Sequence, residues 1–308
     1  MSSQVASEYE GLTEVQAFGL LLAYCLAYVL PLHIFPAARA SPIRSRDDPA
    51  AIRARIRAVS LSTAACSLAT LIVLSAHHAA ISPLRLMGYW PLGLVETARS
   101  LFLTGLLFAG PLYESLLIDG AWSQWTRLQP LRSLWSHLPS WRNIVAGPIT
   151  EECLFRSAAV PLLLLAGHSM RSTVFISPLV FGLAHVHHFY EFRVTHPRVS
   201  IVAAIARSVL QFSYTYLFGI YATFIFLRTG SLLAVAIVHA FCNSLGLPRV
   251  WGQVEPYWYS WGDLSNPSNR RSLMVWTGVY YVLLFGGTLA FYHGLYPLSQ
   301  SPLALADF

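Results

Sequence analysis

Residues 144–165 read IVAGPITEECLFRSAAVPLLLL, an apolar run that carries two adjacent glutamates, Glu151 and Glu152, and one arginine, Arg156. About 20 apolar residues are enough for a helix to cross the hydrocarbon core of a bilayer. A carboxylate placed there is costly unless it faces a partner or a water-filled cavity. The stretch therefore predicts a membrane-spanning helix with a functional site inside it.

The composition extends this prediction to the whole chain. Of 308 residues, 55% are hydrophobic and 11% are charged, which is too apolar for a soluble domain. We expect an all-α, polytopic integral membrane protein with a single transmembrane domain over residues 1–308. The net charge is +6, and all 20 basic residues are arginines that fall between the apolar runs. This placement favours contact with anionic lipid over nucleic acid.

Apolar runs of suitable length predict about eight transmembrane helices around a cytosol-facing cavity. The predicted spans are Val15–Ile34, Ser60–Ala80, Ser100–Ile118, Asn143–Leu165, Ser172–Phe189, Ala204–Leu227, Ser231–Leu247 and Met274–Tyr292. Four cysteines lie within apolar segments and lack CxxC spacing, so we expect free thiols. They are Cys25, Cys66, Cys153 and Cys242.

The arginines also predict the orientation of these spans. Odd-numbered loops hold fourteen of them and even-numbered loops hold four. Because cytoplasmic loops carry an excess of arginine and lysine, we place the odd-numbered loops in the cytosol. The fourth span then begins at the cytosolic side, and the fifth and seventh end there.

Two further polar clusters interrupt apolar helices near that side. The fifth span carries His185, followed by His187 and His188, and the seventh carries His239 and Asn243. At 1.5 Å of rise per residue, Glu151, His185 and His239 all lie roughly 6 to 14 Å from the cytosolic helix ends. The topology thus brings these side chains to a common depth.

Spacing suggests a role for each side chain. Glu152 and Arg156 are four residues apart, so they can pair and support the helix, while Glu151 faces another direction. A glutamate with a histidine can activate water as a general base. A second histidine and an asparagine, at the spacing of His239 and Asn243, can donate hydrogen bonds to a developing oxyanion. This set of residues indicates amide hydrolysis.

Other interpretations use the same residues. Glu151, His185 and His239 could bind zinc, although the chain contains no HExxH and Asn243 is a poor zinc ligand. Intramembrane carboxylates and histidines also occur in non-catalytic scaffolds and proton-coupled transporters. Cys153 is a weaker candidate nucleophile, because it points away from Glu151 on the helix and a thiol in apolar surroundings is unreactive.

The motifs together resemble the type II CAAX prenyl protease family, and in particular its eukaryotic branch. Three family patterns occur in order: EExxxR within residues 147–156, FxxxH at 181–185 and HxxxN at 239–243. Residues 177–188 and 211–219 also resemble the eukaryotic proteins. The detailed resemblance covers about residues 142–248, which we take as the catalytic core.

The resemblance implies an intramembrane glutamate endopeptidase that removes the aaX tripeptide from prenylated CAAX proteins without a metal or another cofactor. It implies that Glu151 and His185 activate the water, and that His239 and Asn243 hold the oxyanion. Glu152 and Arg156 would support the motif. The expected partners are farnesylated or geranylgeranylated proteins such as Ras-type small GTPases, and the expected location is the endoplasmic reticulum membrane, with the site toward the cytosol.

We also expect two aromatic side chains to contact the substrate. Phe181 and Phe189 lie on either side of the histidine cluster in the fifth predicted span. Their position near the cytosolic end of that span predicts that they line the lipid-accessible path of the isoprenoid.

Overall fold

The computed structural model describes residues 12–77, 81–259 and 266–306. These residues are mostly helical and include no β-strand, apart from one isolated bridge between Ser41 and Arg44. The all-α prediction is therefore confirmed. The four cysteines are free, as the sequence predicts.

The described residues form fifteen α-helices and three π-helical turns. The α-helices are α1 (Glu14–Ile34), α2 (Pro49–Ala76), α3 (Pro83–Leu86), α4 (Leu94–Leu107), α5 (Ala109–Tyr113), α6 (Trp122–Thr126), α7 (Gln129–Ser136), α8 (Leu138–Trp141), α9 (Gly147–Glu152), α10 (Ala159–Leu165), α11 (Met170–Ala184), α12 (His187–Thr195), α13 (Ile201–Thr229), α14 (Leu232–Leu245) and α15 (Pro267–Ser299). The π-helical turns are Glu114–Ile118, Arg142–Ala146 and Cys153–Ala158.

Helix lengths support a polytopic membrane protein. Among the described residues, α1, α2, α13 and α15 are long and apolar enough to cross a membrane. The pair formed by α4 and residues 109–118 makes a fifth if it is one span, although it bends by 83°. Helix α14 is apolar but shorter. The count of eight spans stays a prediction.

Four predicted spans differ clearly from the helices in the structure. The third begins at Leu94 and divides into α4 and α5, and the eighth is longer, at Pro267–Ser299. Helix α2 begins at Pro49 and not at Ser60, because Asp48 caps it by accepting hydrogen bonds from the backbone of Ala50 and Ala51. The predicted end of this span, residues 78–80, lies outside the described residues. The fifth predicted span divides into α11 and α12, with the break at residues 185–186.

The helical stretch over residues 142–165 lies at the centre of the fold. It packs against α1, α2, α11, α13 and α14. Pro148 and Pro161 each follow shortly after a π-helical turn. A proline ring removes one helical hydrogen bond and clashes with the carbonyl four residues earlier, and a π-helical turn widens the backbone at that point. The stretch therefore stays helical through both prolines.

Candidate active site

A buried ionic cluster holds together the helices of the site. The Oε1 atom of Glu152 accepts a hydrogen bond from Arg156 Nη1 at 3.0 Å and contacts His239 Nδ1 at 2.7 Å. The side chains of Glu152, Arg156 and His239 are 0%, 1% and 6% exposed. A buried charge is tolerated when it is paired and hydrogen-bonded. The predicted pairing of Glu152 with Arg156 is present, whereas the contact with His239 is not evident from the sequence.

Two aromatic rings pack against this cluster. The guanidinium carbon of Arg156 lies 4.3 Å from the ring centroid of Phe181 and 5.7 Å from that of Phe218. Phe218 also lies against the His239 ring, with 4.5 Å between the centroids. Arginine over an aromatic face is electrostatically favourable, and more so away from water. The rings therefore help to fix Arg156 and His239.

Glu151 lies one position earlier on α9 and faces two imidazole rings. Its Oε2 atom is 4.0 Å from His185 Nε2 and 3.9 Å from His239 Nε2. The Glu151 side chain is 19% exposed and lines a cavity, whereas the buried Glu152 side chain does not line it. Both distances exceed a direct hydrogen bond, and a spacing of this size suits a bridging water.

Hydrogen bonds at Nδ1 orient the two imidazoles. His185 Nδ1 is 2.9 Å from the carbonyl oxygen of Phe181, one turn earlier on α11. Because a carbonyl only accepts hydrogen bonds, Nδ1 of His185 carries the proton and donates it. His239 Nδ1 likewise faces the carboxylate of Glu152. In each ring the hydrogen bond at Nδ1 sets the tautomer. The second nitrogen, Nε2, is directed toward Glu151.

Asn243 extends the site along α14. Its Nδ2 atom donates a hydrogen bond to the backbone carbonyl of Asn143 at 2.9 Å. An amide nitrogen has two N–H donors, so this bond fixes the side chain and leaves one N–H for another acceptor. Asn243 lines the same cavity as Glu151 and His185.

That cavity has a volume of about 370 Å³ and runs from Glu151 to the arginine-rich side of the protein. Its charged and polar lining residues are Tyr28, Arg46, Arg55, Arg142, Asn143, Thr150, Glu151, His185, His187, His188, Tyr214 and Asn243. A second cavity of about 530 Å³ adjoins it and shares Arg46, Arg142, His188 and Tyr214. Arg46, Arg142 and Tyr214 are therefore site residues that the sequence analysis missed. The arginine pattern pointed to their side of the membrane but not to this cavity.

The structure separates the two predicted substrate-contacting rings. Phe181 is 2% exposed and packs between Arg156 and His185, with 4.8 Å between its ring centroid and that of His185. Phe181 is therefore buried against His185 and does not line either of the two cavities described above, and its contact with the substrate stays a prediction. Phe189 is partly buried on α12, beyond the break in the predicted fifth span.

The zinc interpretation requires the potential ligand atoms of Glu151, His185 and His239 to lie close together, and another group of side chains is more compact. Within the described part of the chain, the side chains whose potential ligand atoms all lie within 4.8 Å of one another are His33, His187 and Glu191. Glu191 already binds Arg55 and contacts His188 at 3.1 Å. Glu151 Oε2 lies 4.0 and 3.9 Å from Nε2 of His185 and His239, and the zinc interpretation of these three residues stays a prediction.

Comparisons with known proteins identify the family of the chain. The family model for type II CAAX prenyl endopeptidases, described as Rce1-like, matches residues 133–245. The chain is 38% identical to the probable CAAX prenyl protease 2 of Schizosaccharomyces pombe over 265 residues, which are 86% of this chain and 87% of the relative. The chain belongs to the type II CAAX prenyl protease family. It is therefore an enzyme of the hydrolase class, and the non-catalytic interpretation is set aside.

Two animal proteins of this family are also similar to the chain. CAAX prenyl protease 2 of Homo sapiens is 35% identical over 225 residues, covering 68% of this chain and 66% of the relative. That of Caenorhabditis elegans is 29% identical over 299 residues, covering 92% and 98%. No solved structure matches the chain.

Proposed function

We propose that this chain is an intramembrane glutamate endopeptidase that removes the C-terminal aaX tripeptide from prenylated CAAX proteins. The family membership supports the reaction class, since the relatives are named CAAX prenyl proteases. The observation that carries the residue assignment is the placement of Glu151 Oε2 at 4.0 and 3.9 Å from two imidazole Nε2 atoms. The catalytic core is residues 142–248 of a single transmembrane domain.

In the first step, Glu151 and His185 hold and activate a water molecule. The His185 ring donates a hydrogen bond through Nδ1 to the carbonyl of Phe181, which leaves its Nε2 to accept a hydrogen bond from the water. Glu151 takes a proton as the water oxygen attacks the scissile carbonyl carbon. The water oxygen bonds to that carbon, and the carbonyl electron pair moves onto the oxygen.

In the second step, His239 and Asn243 hold the resulting oxyanion. Asn243 has one N–H free beyond its bond to Asn143. His239 donates through Nε2 when both ring nitrogens carry protons, and the carboxylate of Glu152 at Nδ1 stabilises that cation. The intermediate then collapses, the peptide bond breaks, and the proton held by Glu151 passes to the leaving amine. Preorganised donors of this kind contribute about 2.7–4 kcal/mol each.

The membrane setting fits a prenylated substrate. Each buried CH₂ of an isoprenoid contributes about 0.8 kcal/mol to membrane binding, which holds the modified cysteine near the bilayer surface. The cavity reaches Glu151 from the side that carries Arg46 and Arg142, which we assign to the cytosol by the arginine asymmetry. We propose farnesylated or geranylgeranylated proteins such as Ras-type small GTPases as substrates, and the endoplasmic reticulum membrane as the location.

The Glu151→Gln variant tests this assignment. The amide keeps the shape of the side chain but cannot accept the proton, so release of the tripeptide from a farnesylated peptide should fall by at least about a hundredfold. Thermal unfolding in detergent should be unchanged. The matched control is Glu255→Gln, which changes an exposed glutamate and should leave the rate unaltered. A fully active Glu151→Gln enzyme would disprove the role of Glu151.

A further inference from the structure

Two arginines, Arg46 and Arg142, line both cavities at the position where the cavities meet. Arg142 Nη1 donates to Asp47 Oδ1 at 2.7 Å and to the backbone carbonyl of Arg46 at 3.2 Å. Arg46 Nη1 lies 3.3 Å from His188 Nδ1. Burial, followed by the charge of Arg142, lowers the pKa of Arg46. The two positive charges therefore oppose each other at this position.

The nearby acidic groups compensate these charges incompletely. Within the described residues, the only carboxylate paired with Arg46 is Glu191, at 3.9 Å, which is too long for a hydrogen bond. Glu191 instead bonds to Arg55, and both side chains of that pair are buried. Asp47, the partner of Arg142, is 58% exposed. We call this part of the cavity wall, formed by Arg46, Arg142 and Asp47, the rim. Because its positive charges are incompletely compensated, the rim can accept another anion.

The distance from this rim to Glu151 suits a short peptide. Arg142 begins the helical stretch on which Glu151 lies nine residues later, so the two backbones are about 13 Å apart along the helix. Three extended residues span at most about 10 Å, and the reach of the arginine side chain covers the remainder. A substrate whose scissile carbonyl lies at Glu151 would thus place its chain end at the rim.

We propose that Arg46 and Arg142 bind the C-terminal carboxylate of the substrate and so set cleavage three residues from the chain end. Arginine matches the geometry of a carboxylate through paired N–H donors. Tyr214 and His188 line both cavities beside them and add donors around the same position. This inference rests on the proposed function, because it assigns one end of that substrate.

The test compares two farnesylated peptides that differ only at the C-terminus, one a free acid and one an amide. A hydrogen bond to a charged group contributes about 1.5–3 kcal/mol, so the wild-type enzyme should show a kcat/KM about 10- to 150-fold higher for the acid. The difference should appear mainly in KM. Arg46→Gln and Arg142→Gln should each lower kcat/KM for the acid and leave the amide nearly unchanged, and the double variant should abolish the preference.

Controls separate recognition from folding. Arg53→Gln changes an exposed arginine on α2 and should keep the wild-type preference. Arg46→Lys and Arg142→Lys retain a charge and should restore part of it. Thermal unfolding of each variant in detergent should match the wild type to within a few degrees.

The outcomes distinguish this inference from the proposed function. If the wild-type protein cleaves neither peptide, the proposed function itself fails. If it cleaves both peptides with equal kcat/KM, the function stands and carboxylate recognition is rejected. If the arginine variants slow both peptides by the same factor, carboxylate recognition by these two arginines is also rejected.

Discussion

Two groups of charged residues lie along one cavity and differ in burial. The side chains of the inner group, Glu152, Arg156 and His239, are at most 6% exposed. Glu152 lies 3.0 Å from Arg156 Nη1 and 2.7 Å from His239 Nδ1. In the rim group, the side chains of Arg46, Arg142 and Asp47 are 36%, 16% and 58% exposed. Removal of one buried partner leaves a charge that water cannot reach. The inner group therefore sets the structure, whereas the rim can exchange solvent for a charged ligand.

Among the substitutions that test this comparison, Arg156→Met should lower stability and activity the most. The change leaves Glu152 buried without its cation, which costs about 3–5 kcal/mol. It also removes the charge beside the Glu152 contact with His239. We expect a large drop in the thermal unfolding temperature in detergent and loss of peptidase activity.

Arg57→Met is the control for the loss of an arginine, since Arg57 is exposed on α2. It should change the unfolding temperature little. If Arg156→Met were as stable as this control, the inner group would not support the fold, and the contrast with the rim would fail.

The substitution Gly219→Ala, on α13 beside the inner group, should lower the stability of the protein by less than Arg156→Met. A Cβ atom added at Gly219 would lie 2.7 Å from Pro178 Cβ and 3.3 Å from Phe181 Cδ1. The proline ring cannot move aside, so Gly219→Ala should destabilise the protein by about 1–3 kcal/mol. Thermal unfolding measures this cost. Gly105→Ala, where the added atom meets nothing within 4 Å, should be neutral or slightly stabilising.

The smallest effect is expected at the rim. Asp47→Asn removes the carboxylate bound to Arg142, but Asp47 is 58% exposed. Exposed ion pairs contribute about 0.2–1 kcal/mol, so the unfolding temperature should shift by no more than a few degrees. A loss as large as that of Arg156→Met would show that the rim is as structural as the inner group.

Much of the site follows from residue type and helical spacing. Carboxylates, histidines and an arginine within apolar runs are costly, so Glu151, Glu152, Arg156, His185 and His239 are conspicuous in the sequence. The pairing of Glu152 with Arg156 follows from a separation of four residues. These features are local, and local patterns are readable without coordinates.

Contacts between distant segments could not be predicted in this way. The bond between Glu152 and His239 joins residues 87 positions apart, and no pattern in either segment specifies it. The start of helix α2 at Pro49 is a different case, because the cap that Asp48 provides is local and readable from the sequence, and the search for apolar runs alone missed it.

The sequence by itself determined the class of protein, because only a membrane accommodates so many long apolar runs, and it determined which polar residues require an explanation. The tertiary structure decided how these residues share partners. It directs the second imidazole nitrogen of both His185 and His239 toward Glu151 and joins that position to the arginine rim in one cavity. Such geometry arises from the packing of separate helices, whose relative positions no single segment encodes.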